Sequence, residues 1–397
     1  MDTKRYVGMD IHKRQVVAAA VDHQQNLKLK PVKIKMKNFP SWARANLLPN
    51  DSVALEATTN SWEFHDQLQG IVAEVLVANS YKLKLISNSA AKTDRHDALV
   101  LAKLLAANLL PTVWVPPHHV RELRELTGHR SKLVGERNKL KNQLHYMLHK
   151  HNLPSPAGGP FTLARRNWWG DLSLNEVEKM KIAQYWQSID HLNQQIRETE
   201  SLIVQSSAKE PWLEMMTFMM QLPGIGVYTG MTILAAIGDI ERFPSAAQLV
   251  GYAGLGARVH ASGDSCRTGK ISKRGRRELR TALVNSAWVA VRFSDHWRQQ
   301  FDRLAARIGK QKAITATAHK LLVVIWHVLT KKEADHQADV QAVARSVLRW
   351  ATEHRLARSQ KVHRHDFVRD RLATLGLLEE VRPFRANGRI HDLSVGR

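Results

Sequence analysis

The sequence predicts an α/β N-terminal domain, a central pair of long helices and a mainly helical C-terminal half. Three observations carry this. Short apolar runs alternate with helical spacings over residues 1–112, apolar heptads run through 113–214, and glycine-punctuated helical stretches with a basic insert fill 215–330, ahead of a basic C-terminal tail, 331–397.

In the first domain, Tyr6-Val7-Gly8-Met9-Asp10 is an apolar run ending in a carboxylate, and Val16–Val21 is a second run. From Leu27 to Met36, apolar Leu27, Leu29, Val32, Ile34 and Met36 alternate with Lys28, Lys30, Lys33, Lys35 and Lys37. A period of two marks a half-buried strand with a lysine-lined outer face. Residues 38–47 read as a helix, 52–57 as a buried strand, 61–69 as a helix and 73–78 as a strand. Thr93-Asp94 then opens a helix through Ala107, with Ala98, Leu101, Ala102 and Leu105 at helical spacing. The order β-β-β-α-β-α-β-α gives a mixed sheet with helices on its faces.

Leu126, Leu133, Leu140 and Met147 fall seven apart within a helix over 117–152, and Ile182, Ile189, Ile196 and Ile203 repeat the spacing over 174–208. Four-heptad repeats argue for a coiled coil. Pro154-Ser155-Pro156-Ala157-Gly158-Gly159-Pro160 separates the two, because no helix crosses it. The heptads predict a dimer or tetramer through 117–208; a hairpin packing only on itself is the alternative. In the tail one helix is expected, Val340–Thr352.

The 397 residues carry 59 Lys+Arg against 36 Asp+Glu, a net charge of +23. Such an excess makes a polyanion the leading ligand, since neutralising phosphates releases counterions. A 44% apolar and 24% charged composition belongs to a globular chain. The single cysteine, Cys266, excludes a disulfide framework and points to a reducing cytosol. The N-terminus does not read as a signal peptide, and the apolar stretch Ala313–Leu329 carries His319, Lys320 and His327, as a core helix rather than a membrane span.

Asp10 ends the first strand and Glu56 the fourth, while Asp94 and Asp97 open the last helix of the domain, at i and i+3 on one face. With strands one and four adjacent, all four carboxylates converge. They repel one another and require cations to stay ionised, which two Mg²⁺ ions supply. A metal pair about 3.5–4 Å apart clamps the attacking and leaving oxygens of a phosphodiester. Singly, Asp94 is also a good helix N-cap, and Asp97 complements the helix dipole.

Leu222-Pro223-Gly224-Ile225-Gly226 between two helical stretches matches a helix-hairpin-helix. Its glycines allow either close approach to a phosphate or close helix packing. Further on, Arg258 precedes Ser262-Gly263, and seven basic residues follow: Arg267, Lys270, Lys273, Arg274, Arg276, Arg277 and Arg280. These are the expected nucleic-acid contacts, with Gly224 and Gly226. Spacing alone gives Ser262 only weak support as a nucleophile, because Ser-Gly is a common turn.

Together these segments, from Val7-Gly8-Met9-Asp10-Ile11-His12-Lys13 through Ala54-Leu55-Glu56-Ala57-Thr58, Lys92-Thr93-Asp94-Arg95-His96-Asp97-Ala98 and Leu222–Gly226 to Gly269-Lys270-Ile271-Ser272-Lys273-Arg274-Gly275, resemble the insertion-sequence family one-ten of bridge-RNA recombinases and transposases. The resemblance implies an RNase H-like (RuvC-like) domain with the set Asp10, Glu56, Asp94 and Asp97 on Mg²⁺. It also implies a C-terminal transposase domain with catalytic Ser262 and active sites shared between subunits. The implied partners are a structured noncoding guide RNA, target and donor double-stranded DNA, and further copies of the chain, in a bacterial or archaeal cytoplasm at the nucleoid. The tail after 331 matches no motif of the family. A metal-dependent junction nuclease using water, and a non-enzymatic nucleic-acid-binding protein, are the alternatives.

Overall fold

The computed structural model describes residues 4–86, 93–262 and 265–393. The chain forms two compact units, Met1–Pro117 and His118–Arg397.

The first unit is built on a six-stranded mixed sheet. Strands β1 (Tyr6–Ile11), β2 (Gln15–Val21) and β3 (Leu27–Lys35) form an antiparallel meander. Helix α1 (Phe39–Asn46) leads to β4 (Ser52–Glu56), α2 (Ser61–Leu68) to β5 (Glu74–Ala78), and α3 (Ser80–Ile86) and α4 (Asp94–Ala106) to the two-residue edge strand β6 (Thr112–Val113). The sheet order is β3-β2-β1-β4-β5-β6, with β4 parallel to both β1 and β5. The expected order therefore stands, with α3 and β6 added.

Alternation along each strand sorts the two faces. Val7, Met9 and Ile11 of β1, Val16 and Ala18 of β2, and Val53 and Leu55 of β4 pack with Phe39, Phe64 and Leu68 of α1 and α2. The opposite face is small and receives α4. Ala54 and Ala78 meet Leu101 and Leu105 there, and Val17 and Ala19 meet Ala98. Small side chains let the helix sit close, and Gly8 lies under it. A Cβ added at Gly8 would fall 2.0 Å from the Ala98 carbonyl oxygen and 2.5 Å from the Ala102 nitrogen. The lysines of β3 line the sheet edge, and Lys28 reaches Asp22 at 3.1 Å.

The second unit begins with two long helices, α5 (His118–Lys150) and α7 (Glu176–Ser207), joined by a segment holding the short α6 (Arg166–Gly170). The heptads meet each other within the chain. Leu133, Leu144 and Met147 of α5, and Ile182, Ile189, Ile196 and Ile203 of α7, are buried. Arg130 adds an ion pair with Glu200 at 2.6 Å. The seam expected to join subunits through 117–208 is thus spent internally, the heptads of α5 and α7 covering one another within one chain. At the far end of the pair, Phe161, Trp168, Trp169 and Trp186 form an aromatic core with Leu144 and Leu148.

Next come α8 (Trp212–Met220), α9 (Val227–Ile237) and α10 (Ala246–Ala253), a two-stranded hairpin of β7 (Ala257–Ser262) and β8 (Ser265–Ile271), then α11 (Arg277–Phe293), α12 (Asp295–Ile308) and α13 (Lys310–Lys331). By length and composition α13 is apolar enough to cross a membrane. In the fold it is a core helix, with Ala318, Leu321, Leu322 and Ile325 fully buried. The basic insert is in part this hairpin.

The tail is folded beyond the single helix expected. After α14 (Val340–Thr352) come the short α15 (Leu356–Ser359), α16 (Arg364–Thr374) and a hairpin of β9 (Phe384–Ala386) and β10 (Arg389–His391). Trp350 is fully buried, and its indole N–H donates to Ser207 Oγ at 2.8 Å, tying the tail to the end of α7.

Candidate metal centre and nucleic-acid interface

Asp10 lies on the α4 side of β1, since its neighbours Met9 and Ile11 pack on the other face. The same alternation sends Glu56, next after Leu55 on the adjacent parallel strand, to the α4 side. Helix α4 starts at this end of the sheet and runs back over Gly8. Its N-cap is Thr93, whose side chain accepts from the His96 N–H at 3.3 Å. Asp94 is therefore not needed as the cap, and Asp94 and Asp97 occupy the first turn.

Three side chains converge here. His12 Nε2 is 2.9 Å from Asp10 Oδ2 and 3.4 Å from Asp94 Oδ1. Donor atoms of Asp10, His12 and Asp94 all lie within 4.8 Å of one another. Gln15 Nε2 donates to the other oxygen of Asp94 at 3.2 Å and holds its carboxylate in place. Asp10 is 7% exposed. Burial pushes its carboxyl above the ordinary 3.8; His12 opposes this, and the nearby charges of Asp94 and Asp97 add to it. Two of the four expected carboxylates, Asp10 and Asp94, thus meet at His12, and Asp97 adds its charge to Asp10. Glu56 is half-buried on the neighbouring strand, and neither it nor Asp97 is a member of the close cluster. In the sequence, the signal for His12 is its place two residues after Asp10.

The donor set fits a divalent cation. A buried carboxylate with its pKa raised by desolvation and by like charges is held ionised by a cation seated against it. Close approach of α4 is a precondition, and Gly8→Ala tests it. The added methyl has to displace backbone, at a cost of about 1–3 kcal/mol. The expected outcome is a lower Tm together with weaker divalent-ion binding, checked by thermal unfolding with and without metal; an unchanged Tm would contradict the close packing of α4 on β1.

In the second unit, the Gly224 turn joins α8 to α9. Gly224 has φ +81°, and an added Cβ would sit 2.3 Å from the Ser286 carbonyl oxygen of α11. Of the two roles open to it, close helix packing is the one seen. Gly226 is the exposed N-cap of α9.

Several of the expected basic contacts also hold the fold together. Arg276 Nε donates to the Tyr252 hydroxyl at 2.9 Å, Arg280 to the Ala253 carbonyl at 3.0 Å, and Arg258 to the Ser272 carbonyl at 3.2 Å. Lys273, Arg274 and Arg277 are exposed. Arg124 and Arg242, which no motif marks, join Arg276 around Tyr252. Burial acts to raise the Tyr252 phenol, and the guanidinium groups of Arg276, Arg242 and Arg124 outweigh it and lower it. Burial in turn draws Arg124 down to about 10, with Arg276 and Arg242 adding. Arg124, Arg242 and the Tyr252 hydroxyl also satisfy the last carbonyls of α9, at Ala235, Ala236 and Ile237. Ser262 closes β7 at the hairpin tip, paired in register with Ser265 of β8. Lys92 and Gly263 lie outside the described residues, as do the side chains of Ser262, Arg267 and Lys270.

Residues 7–153 match the family model of the DEDD transposase domain of IS110 elements, and residues 216–302 match the model described as Transposase IS116/IS110/IS902 family. The transposase for insertion sequence element IS1111A of Coxiella burnetii is 26% identical over 298 residues, covering 71% of this chain and 78% of its own length. The pilin gene-inverting protein of Moraxella bovis is 27% identical over 347 residues, 82% of this chain and 96% of that one. A protein named as a transposase in Sinorhizobium fredii is 27% identical over 251 residues, 62% of this chain and 57% of that protein's length. The class is that of the DEDD transposases, enzymes that act as DNA recombinases. The chain belongs to the IS110 family of transposases.

Proposed function

We propose that the chain is an RNA-guided recombinase that cleaves and exchanges DNA strands with a Mg²⁺-dependent carboxylate site and a serine nucleophile. The observation that carries the metal-dependent part is the first turn of α4 laid against the end of β1, where Asp10 and Asp94 share His12. The meander β1-β2-β3 continued by parallel β4 and β5 supports an RNase H-like reading of the first unit. In this reading Asp10, Glu56, Asp94 and Asp97 hold the metal. Bound there, Mg²⁺ supplies charge neutralisation at the scissile phosphate.

The chain's own residues do the rest. The Ser262 hydroxyl oxygen forms a bond to phosphorus as a deoxyribose oxygen leaves with the proton. This is an ester exchange that consumes no water and keeps the phosphodiester energy for rejoining. The exposed Lys273, Arg274 and Arg277 hold the backbone of the nucleic acid beside the hairpin, with Arg267 and Lys270 as further contacts. The tip position of Ser262, paired with Ser265, supports its presentation to a substrate. Target and donor choice is assigned to a structured guide RNA, assembly to a dimer or tetramer, and place of action to the nucleoid in the cytoplasm. This reading divides the chain into an N-terminal domain of 1–112, helical pair 113–214, serine domain 215–330 and tail 331–397.

The test is strand exchange on defined target and donor duplexes with Mg²⁺, with and without RNA co-purified from cells. Exchange that follows the RNA sequence when the RNA is swapped supports the reading; exchange indifferent to RNA removes the guide. The net charge of +23 gives a further expected result. Six to ten phosphate contacts imply an affinity loss of about 10³–10⁵ between 50 and 200 mM salt. A filter-binding series across that range measures it, and a flat response would contradict phosphate-driven binding.

A further inference from the structure

We propose that His12 is a direct nitrogen ligand of the cation held by Asp10 and Asp94, and that it tilts the site towards Mn²⁺ relative to Mg²⁺. The proposal rests on the metal reading above and goes beyond it, because an Asp-Glu-Asp-Asp set offers only oxygen.

The geometry is the first argument. His12 follows β1 directly, and its backbone N–H donates to the Gln15 carbonyl at 2.9 Å, so the turn into β2 sets its position. The imidazole is thereby carried over the end of β1. Its Nε2 stands 2.9 Å from Asp10 Oδ2 and 3.4 Å from Asp94 Oδ1. Neighbouring ligands of one ion, each about 2.1 Å from it, lie about 3 Å apart, and opposed ligands about 4.2 Å apart. The three donor atoms all lie within 4.8 Å of one another, so small side-chain shifts suffice to seat one ion. The His12 side chain is 44% exposed, which leaves one flank of the site open to water or a phosphate oxygen.

Chemistry supplies the second argument. Mg²⁺ is hard, prefers oxygen and parts with water reluctantly, whereas first-row transition ions accept imidazole. Replacing one oxygen ligand by Nε2 therefore favours Mn²⁺ within the same cage. A simple ion pair that orients Asp10 predicts no such change of preference, and this separates the two roles.

The experiment uses the full-length protein and Mn²⁺ as its own spectroscopic probe. Electron paramagnetic resonance titration counts bound Mn²⁺, competition with Mg²⁺ gives the affinity ratio, and electron spin-echo modulation reports nitrogen bonded to the ion. His12→Ala and the gentler His12→Gln, which keeps a side-chain hydrogen bond to Asp10 within reach, are compared with wild type. The expected result is nitrogen modulation in wild type, lost in both variants, with the Mn²⁺-to-Mg²⁺ preference lowered about tenfold or more. Bound Mn²⁺ without nitrogen modulation, or modulation that persists in His12→Gln, overturns the role of His12 and leaves the metal site standing. Failure of wild type to bind Mn²⁺ at all overturns both.

Discussion

Asp10→Ala is expected to abolish DNA cleavage, by more than about 10³-fold, with the fold retained; a loss of that size corresponds to about 4 kcal/mol of transition-state stabilisation. Asp97→Ala is expected to act in the same direction. Asp10 is the buried member of the cluster, on a strand whose other face is the main core of the unit. Its cost to stability follows from its titration. Burial raises its folded pKa above the 3.8 of an unhindered carboxyl. A group shifted this way contributes stability that is full below the unfolded value and is lost as pH rises through the folded value. At neutral pH the ionised carboxylate therefore strains the metal-free fold. Asp10→Asn removes that strain, so the metal-free variant is expected to melt higher than wild type at neutral pH, while the rise in Tm given by Mg²⁺ or Mn²⁺ disappears. Thermal unfolding with and without metal, beside a cleavage assay, checks both halves. Cleavage within tenfold of wild type would sink the metal reading.

The same site shows what a sequence reveals and what it hides. Strand β3 was legible by its period of two, and the buried strands as short apolar runs; the small residues Gly8, Ala19 and Ala54, which leave one face open for a helix, show their role only in the fold. Adjacency of β1 and β4 was a condition of the sequence reading; the parallel pairing of Tyr6–Met9 with Ser52–Leu55 meets it, and with it comes the approach of Asp10 to the acidic turn of α4. His12 was not legible as a site residue. A polar residue after a strand looks like any turn residue, and only the tertiary placement of Asp94 gives it a second carboxylate. The heptads of α5 and α7 were legible as helices, but a heptad says nothing about which copy of the chain supplies the partner. Here α7 lies against α5, and Ile189, Ile196 and Ile203 are covered without a second molecule. In the hairpin of β7 and β8, Ala257, Val259 and Ala261 do alternate with Arg258, His260 and Ser262, but these apolar residues are mostly small and β8 has no matching alternation; the strands are held by pairing with each other. In the tail, Val343, Val347, Leu348 and Ala351 gave α14 its helical spacing. Phe367, Val368 and Leu372 of α16 sit among His, Arg and Asp, too few to read as a stripe.

Ser262→Ala is expected to block strand exchange completely while sparing DNA and RNA binding. The asymmetry follows from what one hydroxyl contributes. A single neutral hydrogen bond adds about 1 kcal/mol to an interface, little beside the phosphate contacts available to a chain of this charge. As a nucleophile the same oxygen is irreplaceable, because the phosphoserine ester stores the energy of the broken phosphodiester until a hydroxyl from another strand displaces it. Water acting at the carboxylate site would dissipate that energy, leaving rejoining to a separate attack by a free strand end. The register of the hairpin sets the competitor: Ser265 is paired directly across from Ser262 at the tip, so the two backbones stand side by side. Ser272 lies past the end of β8, where its carbonyl accepts from Arg258, and this places it at the base of the hairpin rather than its tip. Trapping decides between them. The protein, its co-purified RNA and a nicked DNA substrate are incubated and denatured, and any DNA-linked peptide is mapped by mass spectrometry. A link at Ser262 that vanishes in Ser262→Ala is the expected result. A link at Ser265, Ser272 or a tyrosine refutes the assignment. Full strand exchange by Ser262→Ala removes the serine mechanism and leaves cleavage to water at the carboxylate site.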